Sequence, residues 1–202
     1  MKLYYAPGAC SLAVHIALRE IGLPFEAVEV DLVKHQQRNG TSYLDISPRG
    51  YVPVLELDDG ARHSEAAALL QYVADRDPAQ QLIGSVGSAR RLAVTESLAF
   101  VATELHKVFS PWLWHKETAD STRTAVREKL AARFAELDAQ FAAQAYLAGD
   151  YSVADAYAFA ILNWVNFLAI PITQYPHLKA YLARVASRPA VQAALRAEGL
   201  LK

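Results

Sequence analysis

The segment Met1-Lys2-Leu3-Tyr4-Tyr5-Ala6-Pro7-Gly8-Ala9-Cys10-Ser11-Leu12 predicts a strand, a tight loop and the start of a helix. From Cys10 the apolar residues recur at helical spacing as far as Ile21, and Gly22 is a natural residue to end the helix. Residues 25–31 then alternate apolar and acidic side chains, as a half-buried strand does. This strand–helix–strand order predicts a βαβ unit with two parallel strands.

The next segments complete a small α/β domain. Residues 34–46 are polar and predict a loop with a short helix. Residues 51–57 predict a strand, and the Asp-Asp-Gly turn after it predicts a hairpin to a partner strand at 61–63. Ser64-Glu65 then opens a helix that ends near residue 74.

The rest of the chain predicts only helices. An amphipathic helix covers residues 126–141, and a Ser152…Asp155 pair has capping-box spacing. The helix expected at 156–168 is apolar on nearly every face, which indicates the buried centre of a bundle, and two short helices are expected near 177–186 and 189–196.

Charge and element type divide the chain in the same place. Residues 1–80 carry a net charge of −4 and the remainder +3. We therefore expect an α/β domain over residues 1–76, a linker over 77–87 and an all-helical domain over 88–202.

Composition excludes several classes of protein. Of 202 residues, 53% are hydrophobic and 20% charged, with a net charge of −1, which argues against disorder and against nucleic-acid binding through phosphate contacts. No apolar stretch is long enough to span a bilayer, and the first residues lack a signal-peptide pattern. One cysteine allows neither an intramolecular disulfide nor a cysteine-cluster metal site, and the histidines show no metal-ligand spacing. We expect a cytoplasmic protein without a metal.

Cys10 is the first candidate for chemistry. It lies at the start of the first helix, where backbone N–H groups and the helix dipole favour a thiolate, and the preceding Pro-Gly-Ala loop could expose it. The alternative is a small buried hydrophobic residue. Its place at a helix start favours a functional role.

Three further features each have a functional and a structural interpretation. A cis Val52-Pro53 bond would offer the Val52 backbone to a peptide ligand, although a trans bond is favoured on frequency alone. Glu65 could hold an ammonium or amino-acid head group, or simply begin a helix. His106 could donate a hydrogen bond or act as an acid or base, or be a packing residue.

Several aromatic residues could line an apolar pocket between the domains or belong to the core: Tyr5, Trp112, Trp114, Trp164 and Phe167.

The order of short motifs along the whole chain is specific. They are residues 1–12, Gly50-Tyr51-Val52-Pro53-Val54-Leu55, Gln71-Tyr72-Val73-Ala74-Asp75, Thr103-Glu104-Leu105-His106-Lys107, Ser152-Val153-Ala154-Asp155-Ala156-Tyr157, Arg188-Pro189-Ala190-Val191-Gln192 and residues 197–202. In this order they resemble the bacterial beta-class glutathione S-transferases. The resemblance implies a thioredoxin-like N-terminal domain and an all-α C-terminal helical bundle, assembled as a homodimer that binds glutathione.

The resemblance also implies roles for residues. Cys10 and His106 would be catalytic, and Glu104 would reach glutathione across the dimer interface. The glutathione site would comprise Tyr5, Ala9, Cys10, His35, Val52, Pro53, Glu65, Ala66, Thr103, Glu104 and His106. The pocket for the electrophile would comprise Trp112, Trp114, Trp164 and Phe167. Three residues depart from the family pattern: His35 stands for a frequent Lys, Ala66 for Ser or Gly, and Ala99 for Asn.

The activity implied is transfer of the glutathione thiolate to a small apolar electrophile, with thiol–disulfide exchange through Cys10 as a second activity. Two alternatives stay open. One is a glutathione-dependent dehalogenase, isomerase or peroxidase on the same fold. The other is a non-catalytic binder of apolar ligands.

Overall fold

A five-stranded mixed sheet lies in the N-terminal part of the protein. The structure is a computed structural model that describes residues 1–201. Lys202, the last residue of the expected helical domain, lies outside the described residues. The strands are β1 (Lys2–Tyr5), β2 (Glu26–Asp31), β3 (Gln36–Gln37), β4 (Val54–Glu56) and β5 (Arg62–His63), in the order β3-β2-β1-β4-β5. β1 and β2 are parallel and the other neighbours antiparallel, so the predicted βαβ unit is confirmed.

The described residues also form α-helices, two of them between the strands or directly after the sheet and the others after residue 88. They are α1 (Ser11–Glu20), α2 (Ala66–Ala74), α3 (Ala89–Phe100), α4 (Lys107–Phe109), α5 (Asp120–Ala143), α6 (Val153–Leu162), α7 (Trp164–Phe167), α8 (Pro176–Ala186) and α9 (Pro189–Ala197). A π-helical segment, Val101–His106, joins α3 to α4. None of the helices in residues 1–201 combines the length and the apolar character needed to cross a membrane.

Two sequence predictions in the first half need correction. The short helix expected within residues 34–46 is wrong: β3 pairs there with β2, and the Asp31 carboxylate accepts hydrogen bonds from the N–H groups of Val33 and Lys34 in the preceding turn. This polar segment has no apolar repeat that a helix could bury. The strand expected at 51–57 is shorter, because Pro53 has no N–H to donate to a ladder.

The C-terminal predictions are largely confirmed. All ten residues of α6 are buried, and Ser152 and Asp155 form the predicted capping box, with the Asp155 carboxylate accepting from the Ser152 N–H at 2.9 Å. The single helix expected at 156–168 is instead two helices, α6 and α7, divided at Asn163.

α1 connects the two halves of the protein. It packs against α2, α6 and α9, and its first eight residues are buried. One hydrophobic core therefore runs from β1 through α1 into the helical bundle. The N-terminus of α1 lies where the sheet, its loops and the bundle meet.

Candidate functional site

Cys10 and the Val52–Pro53 segment meet at the N-terminus of α1. The Cys10 thiol donates a hydrogen bond to the Val52 carbonyl oxygen at 3.2 Å. The Val52–Pro53 peptide bond is cis and not the trans bond that frequency alone favours. The Cys10 side chain is 9% exposed. Burial raises the pKa of its thiol to about 12, although the N–H groups of Cys10 and Ser11 and the charge of Lys107 act in the opposite direction. The expectation of an exposed thiolate is therefore wrong, because desolvation outweighs the helix N-terminus.

Gly8, two residues before Cys10, is held from both sides by the C-terminal half. Its N–H donates to Glu198 Oε2 at 2.9 Å, and its carbonyl accepts from Trp164 Nε1 at 2.8 Å. Gly8 has φ +71°, and a Cβ there would lie 3.1 Å from the Phe167 ring. Only glycine suits this position, because the backbone is left-handed and the neighbouring ring is close.

The Glu198 carboxylate continues inward to a buried histidine. His15 Nδ1 lies 2.8 Å from Glu198 Oε1, and both side chains are fully buried. Arg19 Nε donates to His15 Nε2 at 3.0 Å, so the imidazole proton lies on Nδ1 and is donated to Glu198. The pairing of His15 with Glu198 could not be read from the sequence, since 183 positions separate the two residues.

His106 ends the π-helical segment and lies between two aromatic rings. Its ring meets those of Tyr157 and Trp164 edge-on, with centroid distances of 5.8 and 5.2 Å. His106 Nδ1 is 2.7 Å from the Tyr157 hydroxyl oxygen. Burial, with a smaller contribution from Lys107, lowers the pKa of His106 to about 4, so its imidazole is neutral near pH 7. Tyr157 was not among the expected site residues.

The N-terminus of α2 has an unusual backbone. Glu65 precedes the helix with φ +70°, and its side chain makes no capping hydrogen bond, so its interpretation as an ordinary helix cap is wrong. The Glu65 carboxylate is exposed and pairs with Arg49 at 3.5 Å. A non-glycine residue in this conformation is strained, and such strain is concentrated at functional sites. Ala66 is buried in the first turn, where helix N–H groups lack partners within the helix.

The other expected glutathione residues lie in different surroundings. Tyr5 is buried with its ring 5.6 Å from that of His15, and Ala9 is half-buried in the loop before α1. His35 has φ +51°, and its ring covers Gly50, where a Cβ would lie 2.5 Å from His35 Cε1. His35 Nδ1 is buried without a hydrogen-bond partner in residues 1–201.

Thr103 and Glu104 lie on the π-helical segment. The exposed Thr103 hydroxyl donates to the Ala99 carbonyl at 2.9 Å. Glu104 is contacted by Arg133 Nε at 2.9 Å and by Lys129 at 3.3 Å. These hydrogen bonds lower the pKa of Glu104, and the bond from Arg133 makes the largest contribution, so Glu104 is a carboxylate at neutral pH.

The four expected pocket aromatics do not form one group. Trp164 is buried, and Trp114 meets its ring edge-on at 5.5 Å. Trp112 and Trp114 remain nearly half exposed, at 46% and 44%. Phe167 instead lines a groove of about 440 Å³ together with residues of α6, α8 and α9, such as Phe159 and Leu195. Among the described residues there is no group of three His, Cys, Asp or Glu side chains that could hold a metal ion.

Known proteins of one family match this chain in both its N-terminal and its C-terminal part. Residues 8–76 match the family model of the glutathione S-transferase N-terminal domain, and residues 100–189 match that of the C-terminal domain. The chain is 42% identical over 201 residues to glutathione S-transferase GstA of Escherichia coli O157:H7, covering 99% of this chain and 100% of that protein.

Solved structures give the same result. A sphingomonad glutathione S-transferase complexed with glutathione has 44% sequence identity and a TM-score of 0.93, with 99% of this chain and 100% of that one covered. The beta-class enzyme of Sphingomonas chungbukensis has 41% identity and a TM-score of 0.94, with both chains fully covered. The expected thioredoxin-like domain followed by a helical bundle is thereby confirmed.

Proposed function

The chain belongs to the glutathione S-transferase family, in its bacterial beta class, and from this premise we propose that it joins the thiolate of glutathione to small apolar electrophiles. The observation that carries the proposal is the contact between Cys10 and Val52, 3.2 Å from thiol to carbonyl. It brings a thiol, a helix N-terminus and an extended backbone segment together. A sulfur-containing peptide can bind there through its backbone while its own sulfur faces Cys10.

Glutathione binding in this proposal uses both ends of the tripeptide. The Val52 backbone pairs with the cysteinyl residue, and the exposed Glu65 carboxylate with the N–H of Ala66 holds the γ-glutamyl end. Glu104 adds a second carboxylate for the same ammonium group from the other subunit of a homodimer. His35 contacts the glycyl carboxylate.

The remaining binding residues complete this arrangement. Tyr5 and Ala9 shape the floor and the loop of the glutathione site, Pro53 fixes the strand start, and Thr103 lies beside Glu104. The electrophile binds against Trp112, Trp114 and Trp164, while the position of Phe167 in another groove argues for a smaller role. We also propose residues 1–76 as the glutathione-binding domain, 77–87 as the linker and 88–202 as the helical domain, in a cytoplasmic protein.

The proposed chemistry forms a carbon–sulfur bond. The glutathione thiol loses its proton to solvent, its sulfur attacks the electrophilic carbon, and the leaving group departs with its electron pair. When the Val52 backbone pairs with glutathione, the Cys10 thiol leaves the Val52 carbonyl, and Cys10 and His106 then contribute as neutral hydrogen-bond donors, which stabilise the attacking thiolate more than the thiol.

Thiol–disulfide exchange through Cys10 is the second candidate. In that reaction the Cys10 thiolate would attack glutathione disulfide, form a mixed disulfide and release one glutathione thiolate. Burial of the Cys10 thiol and its raised pKa disfavour this route, since the thiolate is the attacking species. Conjugation is therefore the primary proposal.

Turnover of chlorodinitrobenzene with glutathione tests the proposal. Formation of the thioether at a rate proportional to enzyme concentration is expected. Binding of apolar dyes without glutathione retention on an affinity resin would overturn it in favour of a non-catalytic binder. Halide release or peroxide reduction without thioether formation would favour the dehalogenase or peroxidase alternative.

A further inference from the structure

The hydrogen bond between His106 and Tyr157 joins two residues that are 51 positions apart. His106 Nδ1 and the Tyr157 hydroxyl oxygen are 2.7 Å apart, and Tyr157 is only 3% exposed. Tyr157 lies on α6, all of whose residues are buried, so its ring has a fixed position. The His106 ring is further confined by the edge of Trp164, whose indole N–H is itself held by the Gly8 carbonyl.

The protonation states of the pair follow from their surroundings. Burial raises the pKa of Tyr157 and lowers that of His106, so both groups are neutral near pH 7. A neutral imidazole carries one proton, on either Nδ1 or Nε2.

The hydroxyl of Tyr157 selects between the two tautomers. Within residues 1–201 it has no hydrogen-bond partner other than the His106 ring. If the imidazole proton were on Nδ1, the buried phenolic O–H would have no acceptor, which is costly in a protein interior. If the proton is on Nε2, the phenolic O–H donates to Nδ1 and both groups are satisfied.

We propose that Tyr157 is a positioning residue that fixes His106 as the Nε2–H tautomer and so presents a neutral N–H donor to the glutathione sulfur. The proposal rests on the proposed function for the identity of the sulfur, but the tautomer itself does not depend on it. A neutral imidazole N–H is far too weak an acid to protonate a thiolate. The His106 imidazole can therefore stabilise the glutathione thiolate by a hydrogen bond without protonating it.

The tautomer can be read directly by nuclear magnetic resonance. Two-bond ¹H–¹⁵N correlation spectra of the full-length protein distinguish a protonated Nε2 from a protonated Nδ1. We expect protonated Nε2 and unprotonated Nδ1 in His106 of the unsubstituted protein at pH 7. A protonated Nδ1 would overturn the proposal, and this measurement requires no variant.

The substitution Tyr157→Phe tests the positioning role. It keeps the ring against His106 and removes the hydroxyl, so the ¹⁵N shifts of the two ring nitrogens should move towards their average. With glutathione and chlorodinitrobenzene, kcat should fall about 5- to 20-fold, while KM for glutathione changes less than about 2-fold, because the donor acts on the thiolate. Unchanged ¹⁵N shifts and kcat would contradict the proposal.

The matched control is Tyr151→Phe. Tyr151 is also buried in the helical half, but its hydroxyl has no hydrogen-bond partner in the described residues. This variant should leave kcat and the His106 spectrum unchanged, and a fall in kcat equal to that of Tyr157→Phe would show that the effect is general to buried tyrosines. If the unsubstituted protein shows no turnover, the proposed function fails, while the ¹⁵N measurements still decide the role of Tyr157.

Discussion

Removal of the Glu198 carboxylate by Glu198→Ala should lower the free energy of unfolding by about 2–6 kcal/mol. The variant leaves two buried donors without an acceptor, the Gly8 N–H and the His15 Nδ1–H, which now lie 2.9 and 2.8 Å from the carboxylate oxygens. Each buried donor left unpaired costs about 1–3 kcal/mol. The sum is a large share of the roughly 5–15 kcal/mol that keeps a protein folded.

Equilibrium unfolding in urea, followed by far-ultraviolet circular dichroism, measures this loss. The control is Glu128→Ala on α5, whose side chain is exposed and whose removal should change stability by less than about 0.5 kcal/mol. A loss below about 1 kcal/mol in Glu198→Ala would refute the reasoning, since it would mean that both donors find new partners.

A double-mutant cycle separates the two contacts of Glu198. If His15 and Glu198 act as a unit, the double variant with His15→Ala should lose less stability than the two single variants added together, by about 0.5–3 kcal/mol. Exact additivity would mean that Glu198 acts on Gly8 alone.

Three other substitutions test the site residues. Cys10→Ala should abolish any glutathione mixed disulfide detected by intact-protein mass spectrometry; an adduct that persists would exclude Cys10 from the exchange reaction. His35→Lys should tighten glutathione binding about 3- to 10-fold in calorimetry by placing a fixed charge near the glycyl carboxylate, and an unchanged Kd would contradict that role. His106→Ala should lower kcat/KM at least about 10-fold at pH 7 with the fold intact by circular dichroism; an unchanged rate would leave His106 as a packing residue. Because the pKa of His106 is lowered from 6.5 to about 4, the unfolded chain binds a proton at this residue more readily than the folded protein does. The folded protein should therefore lose stability as the pH falls from about 6.5 to 4. His106→Ala should reduce that loss, as measured by urea unfolding at each pH.

The elements that could be predicted from sequence are those specified locally. The βαβ unit follows from the switch between helical and alternating periodicity, and the Ser152–Asp155 cap follows from three-residue spacing. The helix predicted near residues 34–46 failed because polarity alone does not distinguish a turn from a short helix. No apolar repeat was present to decide between them.

The candidate site was predictable only in part, since its contacts join distant positions. Cys10 could be located at a helix N-terminus, but the local dipole argument gave the wrong ionisation state, because burial by surrounding elements is not visible in the sequence. His106 was identified through its motif, whereas its partner Tyr157 lies on another helix at an ordinary core position. The Glu198–His15 pair was missed for the same reason.

The lowered pKa of His106 also limits its chemical role. A cysteinyl thiol has an ordinary pKa of about 8.5, whereas that of His106 is about 4. Moving a proton from the thiol to this imidazole would therefore be unfavourable by about 4.5 pKa units, or roughly 6 kcal/mol. His106 is thus a poor general base for activating glutathione, although it remains a good neutral donor to a thiolate. Activation must then come from donors that lower the pKa of the glutathione thiol, with the proton leaving to solvent. The rate of conjugation should rise with pH along a single ionisation below about 8.5, and in Tyr157→Phe that ionisation should move to higher pH because the donor is less well oriented.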